Sequence, residues 1–327
     1  MHKIIDESGK CYTLYSYTLE SDFEEMVVAN VDAIFGKDGL YFEIKKLIGK
    51  PKKGATIPDG YYLDLTFHTD PRLYLVEVEL NSHDVYGHIG EQILRFGISS
   101  EMDKYKIKSL LLSAIQNDSQ KQAKLNDYYK HSSFNNNSEL LDKVIFDNKP
   151  AAIVIIDEAT DELYNVMSQL TMTTEVLEAQ TYICEKKKLH RFTPFKDEIL
   201  TDVSDNEDVD ELDTIVVPAR EDGFEEEFMK NSRWFAIRIS GAMIDKIKFI
   251  AAYQVAPVSG ITHIAEVDRI EKYNETNKYI LFFKSGTTQK ITKVGLGSKK
   301  GQAPQAPRYS SYKAIMLAKS VDDLWNK

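Results

Sequence analysis

The run RLYLVEVEL, residues 72–80, constrains this chain more than any other feature. It is of strand length and apolar apart from Glu77 and Glu79. Side chains alternate along a strand, so the two acids share one face, about 7 Å apart, while Val76, Val78 and Leu80 fill the other. Unpaired carboxylates in a core are costly and take up protons rather than stay charged. A divalent cation removes that cost, and Mg²⁺ binds through one or two carboxylates plus waters and substrate phosphates. The pair therefore predicts a metal site. Read alone, EVE also fits a half-exposed strand with its acids on the wet side.

The surroundings favour the site. Asp59, after Ile57-Pro58, begins or precedes the neighbouring strand in IPDGYYLDLTF and is expected to face the acids across a hairpin. Asp64, five residues on, is expected on the opposite face, toward solvent. The helix expected in SHDVYGHIGEQILRFGISS places Gln92 on a stripe with Val85, Ile89, Ile93 and Phe96. A lone amide on an apolar stripe needs partners, which the acids supply unless it reaches solvent at the edge. His83 and His88, five apart, are not expected to share a helix face, and no third ligand completes a zinc pattern. GxSxG, P-loop and GxGxxG patterns are absent from the sequence.

SDFEEMVVANVDAIFG carries Phe23, Val27, Val31, Ile34 and Phe35 at helical spacing, and Gly36 ends it. Strands follow around YFEIKKLIG, IPDGYYLDLTF and RLYLVEVEL. KYKIKSLLLSAIQ is ambiguous, and HSSFNNNSELLDK reads as a loop leading into a helix. AAIVIIDE reads as a buried strand, DELYNVMSQLTM as a helix and TEVLEAQTYIC as a strand. The order α–β–β–β–α–β–α–β predicts an α/β domain with a mixed sheet over residues 1–200.

Charge divides the chain. Its net charge is -10 over 327 residues, but residues 228–327 hold 17 Lys/Arg against 7 Asp/Glu. Residues 201–227 hold 12 Asp/Glu against one Arg and read as an acidic linker. Beyond it, RWFAIRI, KFIAAYQV, GITHIAEVDRIEKY, KYILFFK and QKITKVGLG are short strand-like runs between Gly, Pro, Asn and Ser. They predict a small, mainly-β barrel. A basic domain beside acidic segments favours a nucleic-acid contact through the basic part. Cys11 and Cys184 form no CxxC pair. No signal peptide or membrane-length apolar run is evident, so a cytoplasmic setting is expected.

Pro58-Asp59, followed after 17 residues by Glu77-Val78-Glu79, resembles the PD-(D/E)XK nuclease superfamily. The resemblance covers residues 20 to 100 best. It implies a restriction-endonuclease-like mixed sheet flanked by helices and a Mg²⁺- or Mn²⁺-dependent phosphodiesterase. Asp59 and Glu77 would be metal ligands. Glu24 resembles the acid of the family's first helix, although Ser21-x-x-Glu24 also reads as a capping box. Gln92 resembles the helix glutamine of the recombination-nuclease branch. The third motif position is usually Lys, which positions or activates the attacking water, and here it is Glu79. That departure leaves open a degenerate core that binds nucleic acid without cutting it. Lys45 and Lys46 offer phosphate contacts.

Residues 232–273, with APRYSSY, resemble the PUA-like barrels of the EVE and ASCH type. Several of these hold a flipped or modified base in an aromatic-lined pocket. That resemblance points to Trp234, Tyr253, Gln254, His263 and Tyr309 for the base and Arg308 for phosphates. Each aromatic taken singly also fits an ordinary core position. Together the two resemblances imply a DNA endonuclease of restriction or genome-defence type acting on double-stranded, modified or unmodified DNA. An RNA-directed nuclease is the alternative substrate class. A homodimer is the expectation for cutting two strands, and no membrane partner is expected.

Overall fold

The computed structural model describes residues 3–50, 55–193, 195, 209–239, 241–273, 278–299, 302–304 and 306–325. The chain divides into two units, Met1–Phe195 and Lys196–Lys327. Each is mixed α/β and carries its own mixed sheet.

In the first unit, strands β1 (Lys3–Ile5) and β2 (Cys11–Tyr15) precede helices α1 (Glu20–Ala29) and α2 (Val31–Phe35). The single helix expected over this stretch is broken at Asn30, whose Nδ2 donates to Met26 O at 2.8 Å. Gly36 ends α2 with a φ of 80°, a conformation that favours glycine. A meander follows: β3 (Gly39–Phe42), β4 (Gly60–Asp64) and β5 (Arg72–Glu79), all antiparallel. Next come a π-helical turn over Val85–Gly90 and helices α3 (Glu91–Met102), α4 (Lys104–Gln116), α5 (Ser119–Tyr128) and α6 (Asn137–Asp142). Strand β6 (Ala151–Ile156) returns parallel to β5. Then α7 (Asp161–Ser168) leads to β7 (Thr174–Cys184), parallel to β6, and β8 (Lys187–Phe192) turns back on β7.

The strand order is β1-β2-β7-β6-β5-β4-β3. Odd and even residues of the central strands feed two separate cores. Leu73, Leu75, Val154 and Ile156 meet Ile93 and Phe96 of α3 and Ile107, Leu111 and Ile115 of α4. Val76, Val78, Ile153 and Ile155 meet Phe23, Val27 and Phe35 of α1 and α2. The unit is therefore a sheet between two helical layers. The ambiguous stretch 104–116 is a helix because Ile107, Leu111 and Ile115 recur every four residues and all are buried.

The second unit corrects the expected linker. Residues 201–208 lie outside the described residues, but Thr214–Ala219 forms β9, a buried inner strand of the second sheet. Its β-branched residues are flanked by so many acids that regional composition conceals them. The acids of 221–227 sit on a short helix, mostly exposed, while Phe224 and Phe228 turn inward at a spacing of four. Strands β10 (Arg233–Ile237), β11 (Phe249–Gln254), β12 (Gly260–Lys272), β13 (Tyr279–Phe283), β14 (Gln289–Gly295) and β15 (Arg308–Ser310) follow. The order is β10-β13-β12-β11-β9-β15, with β14 also on β12. β11 is parallel to β9, and the other pairs are antiparallel.

Strand β12 makes the sheet curl. Its first half pairs with β11 and β14, its second half with β13, and the register shifts between Val267 and Arg269. A bulge adds bend and twist, so one long strand serves two directions and the sheet closes into a half-barrel.

Candidate active site

The acids gather where β5 outruns its neighbour. β4 begins at Gly60, opposite Val76, so beyond that point β5 keeps β6 on one side and no described strand on the other. There the Asp59 N–H donates to Val76 O at 3.1 Å, and Asp59 Oδ2 accepts from the Val78 N–H at 2.9 Å. A carboxylate completes the strand edge in place of a backbone. Gly60 is needed beside it, because a Cβ there would run into the Tyr41 ring.

Glu77 and Glu79 point to the α3 face, as alternation predicts, and are only 6% and 1% exposed. Gln92 Nε2 lies 3.4 Å from Glu77 Oε2 and 3.4 Å from Ile57 O. The amide therefore meets the acid, but through long, weak hydrogen bonds. Glu79 is held more firmly: Oε1 accepts from the Leu80 N–H at 2.9 Å and also contacts His83 Nδ1, while Oε2 lies 2.8 Å from His88 Nδ1.

From the other layer, α1 brings Glu20 and Glu24. One carboxylate oxygen from each and one from Asp59 lie within 4.8 Å of one another. Lys45 joins them, in contact with Glu24 and 3.5 Å from Asp59 Oδ1. The capping box that Ser21 and Glu24 could have formed is absent, because α1 starts at Glu20 with Leu19 in the cap position. Lys45 and Asp59 stand at the two ends of the β3–β4 connection, which is closed by reciprocal bonds between Ile48 and Thr56 at 2.8 and 2.9 Å. A cleft of about 270 Å³ opens between Asp59, Lys45, Tyr41 and the Glu24 side of α1.

The electrostatics are those of a site short of positive charge. Burial pushes Asp59 up to about 7, with the Glu24 charge adding and the Val78 N–H and Lys45 opposing. Glu77 is pushed well above the usual carboxylate range by burial and by Asp59, against the Gln92 amide. Glu20 is raised by burial and by the charges of Glu79 and Glu24, which outweigh His83. Burial alone would lower Lys45, but Glu24 and Asp59 reverse this and raise it. Five carboxylates around one ammonium suit a divalent cation, which would let Asp59 and Glu77 stay ionised.

Glu20, His83 and His88 were not foreseen as site residues. Glu20 and Glu24 are four apart, which places both on one helix face, and that signal was available. The histidines are a correction. They do converge, because His83 lies in the turn after β5 and His88 in the wider π-helical turn rather than in a regular helix. Asp64 is a second correction: it is buried, and its Oδ1 accepts from the Thr66 N–H at 2.9 Å and the Thr66 hydroxyl at 2.6 Å. β4 lies between β3 and β5 with a helical layer on each side, so it has no wet face.

In the second unit, the five residues expected to line one base pocket separate. Tyr253 and Tyr309 are 2% and 4% exposed and cannot offer a ring face to a base. Tyr253 packs with Val216, Ile264 and Trp325, and the Tyr309 carbonyl accepts from Trp325 Nε1 at 3.2 Å. Arg308, expected to meet phosphates, lies over the Trp325 ring, 5.0 Å from its centroid. Gln254 and His263 do meet, both bonding Thr262 Oγ1, at 2.6 and 3.0 Å. Trp234 lies edge-on to Phe228 at 6.3 Å, and His263 stands 5.0 Å from the Phe224 ring. Gln254, His263 and Trp234 are thus partly exposed near the Phe224–Phe228 helix, and Arg308 is partly exposed beside Trp325.

Comparison with family models, curated proteins and solved structures gives no match to this chain. Among the described residues, no helix is long and apolar enough to cross a membrane.

Proposed function

We propose that the chain is a metal-dependent endonuclease of the PD-(D/E)XK type, acting on DNA. The observation that carries the reading is the convergence of Asp59, Glu77 and Glu79 at the open edge of β5, with the glutamates buried, Asp59 largely so, and both Asp59 and Glu77 pushed up by burial. The mixed sheet between two helical layers supports it, being the core that the resemblance implies. Asp59 and Glu77 would hold Mg²⁺ or Mn²⁺, with Gln92 steadying Glu77. The bound ion would neutralise the scissile phosphate and acidify the attacking water.

Lys45 is the cation of this group, reaching it from the end of β3. It stands in for the lysine missing at the Glu79 position, and its ammonium would face a phosphate oxygen or orient the water. Glu24 holds that ammonium in place. Residues 228–327 of the second unit, with 17 Lys/Arg against 7 Asp/Glu, would bind the DNA backbone, with Gln254, His263 and Trp234 as base-reading candidates. A base modification in the target and a role in genome defence fit this pairing. A reading without cleavage draws on one observation: both oxygens of Glu79 are tied to imidazoles.

The deciding experiment is cleavage of plasmid DNA, unmodified and from hosts with different base modifications, in Mg²⁺ or Mn²⁺, beside the Glu77→Gln variant. Cutting by the wild type that disappears in the variant supports the endonuclease. Binding without cutting on every substrate leaves a nucleic-acid-binding protein on a degenerate core.

A further inference from the structure

We infer that Glu79, His83 and His88 form a second cation site, distinct from the carboxylate site at Asp59 and Glu77, and that it takes a transition-metal ion rather than Mg²⁺. One donor atom from each residue lies within 4.8 Å of the others. The imidazoles address opposite oxygens of one carboxylate, and their rings stand 5.6 Å apart at 64°. Glu20 Oε2, 3.7 Å from His83 Nδ1, is a fourth oxygen in reach.

The burial pattern is that of a ligand set with a solvent entry. Glu79 is almost wholly enclosed, whereas the His83 and His88 side chains are 40% and 61% exposed. A core carboxylate thus forms the floor and two imidazoles the mouth. The backbone holds this arrangement. The Asn81 N–H donates to Asp157 Oδ1 at 2.7 Å, His83 N–H to Leu80 O at 3.0 Å, and His88 N–H to Asp84 O at 2.9 Å. His88 lies in a π-helical turn, a form that is frequent at functional sites.

The donor set selects the ion. Imidazole nitrogen with one or two carboxylates suits Mn²⁺, Co²⁺ or Zn²⁺, whereas Mg²⁺ favours oxygen donors and keeps its waters. The inference does not rest on the endonuclease reading, since binding is measurable without DNA.

The test uses the full-length protein stripped with EDTA and titrated with Co²⁺, followed by calorimetry and by the visible spectrum of the ion. The wild type is expected to bind Co²⁺ with an imidazole-ligated spectrum that millimolar Mg²⁺ does not displace. His88→Ala should weaken that binding at least about tenfold, and the His83→Ala/His88→Ala pair should abolish the spectrum. Glu77→Gln, which disables the neighbouring site, should keep it. Because the replaced side chains are largely exposed, circular dichroism should show both variants folded. Protection of the wild-type histidines from acylation by bound Co²⁺ provides a readout that needs no variant. A wild type with no nitrogen-ligated spectrum and no protection overturns the site, as does a double variant that binds like the wild type. A protein that binds Co²⁺ here but cuts no DNA supports this site while counting against the endonuclease.

Discussion

Asp59 Oδ2 accepts the Val78 N–H at 2.9 Å, so an acid side chain finishes the edge of β5 that β4 leaves open. The bond fixes the carboxylate beside Glu77 and at the same time buries it.

That burial sets a pH dependence for the metal-free protein. Asp59 titrates near 3.8 in an open chain and at about 7 when folded. Between these values the folded state holds the extra proton, so stability falls as pH rises through that window and levels off above it. Asp59→Asn should remove this part of the slope. In EDTA the variant should melt above the wild type at about pH 8, by on the order of a few kcal/mol, and the two should converge near about pH 4. Equal melting curves at both pH values would show that the carboxylate is not under strain.

Metal should reverse the deficit. Saturation with Mg²⁺ or Mn²⁺ at about 100 times the dissociation constant should stabilise the wild type by about 2.7 kcal/mol. Glu77→Gln should lose most of that gain while gaining stability in EDTA, because it removes a buried charge with weak partners. Thermal melts at fixed protein concentration check both signs.

Lys45→Met should lower turnover about a hundredfold, the scale of a lost proton-positioning group, while leaving most of the Mg²⁺-dependent stabilisation. Lys45→Arg should restore part of the rate. Single-turnover cleavage separates this from weakened DNA binding, and an unchanged rate in Lys45→Met removes the lysine from the mechanism.

In the second unit, Tyr253→Ala should destabilise by about 3 to 5 kcal/mol, as a large core truncation does. Trp234→Ala and His263→Ala should cost little stability and weaken binding to DNA. Denaturant melts paired with binding at fixed salt distinguish core from contact residues.

Much of this was legible in the sequence, and the exceptions share a cause. RLYLVEVE became β5 because a strand enclosed on both faces needs a long apolar or β-branched run, and TEVLEAQTYIC became β7, where buried and partly buried residues mix. Glu77 and Glu79 stood out against that background. Gln92 was found in the same way, as a polar residue on an apolar stripe. β9 escaped because six strand residues sit among acids that dominate the composition. The histidine pair escaped because helix-face arguments assume a regular helix, and the segment is a turn followed by a wider one. Tyr253 and Tyr309 were plausible base-stacking rings until tertiary packing enclosed them, which no local pattern reports.

The bonds between Ile48 and Thr56 clamp the base of the β3–β4 connection, with Lys45 outside the clamp on one strand end and Asp59 outside it on the other. The spacing between cation and acid is therefore set at the clamp, not by the length of chain beyond it. Just past the clamp the Gly49 N–H donates to Asp103 Oδ2 at 2.6 Å, so the end of α3 braces the same point, and the charges that would handle a phosphate are held from two layers at once.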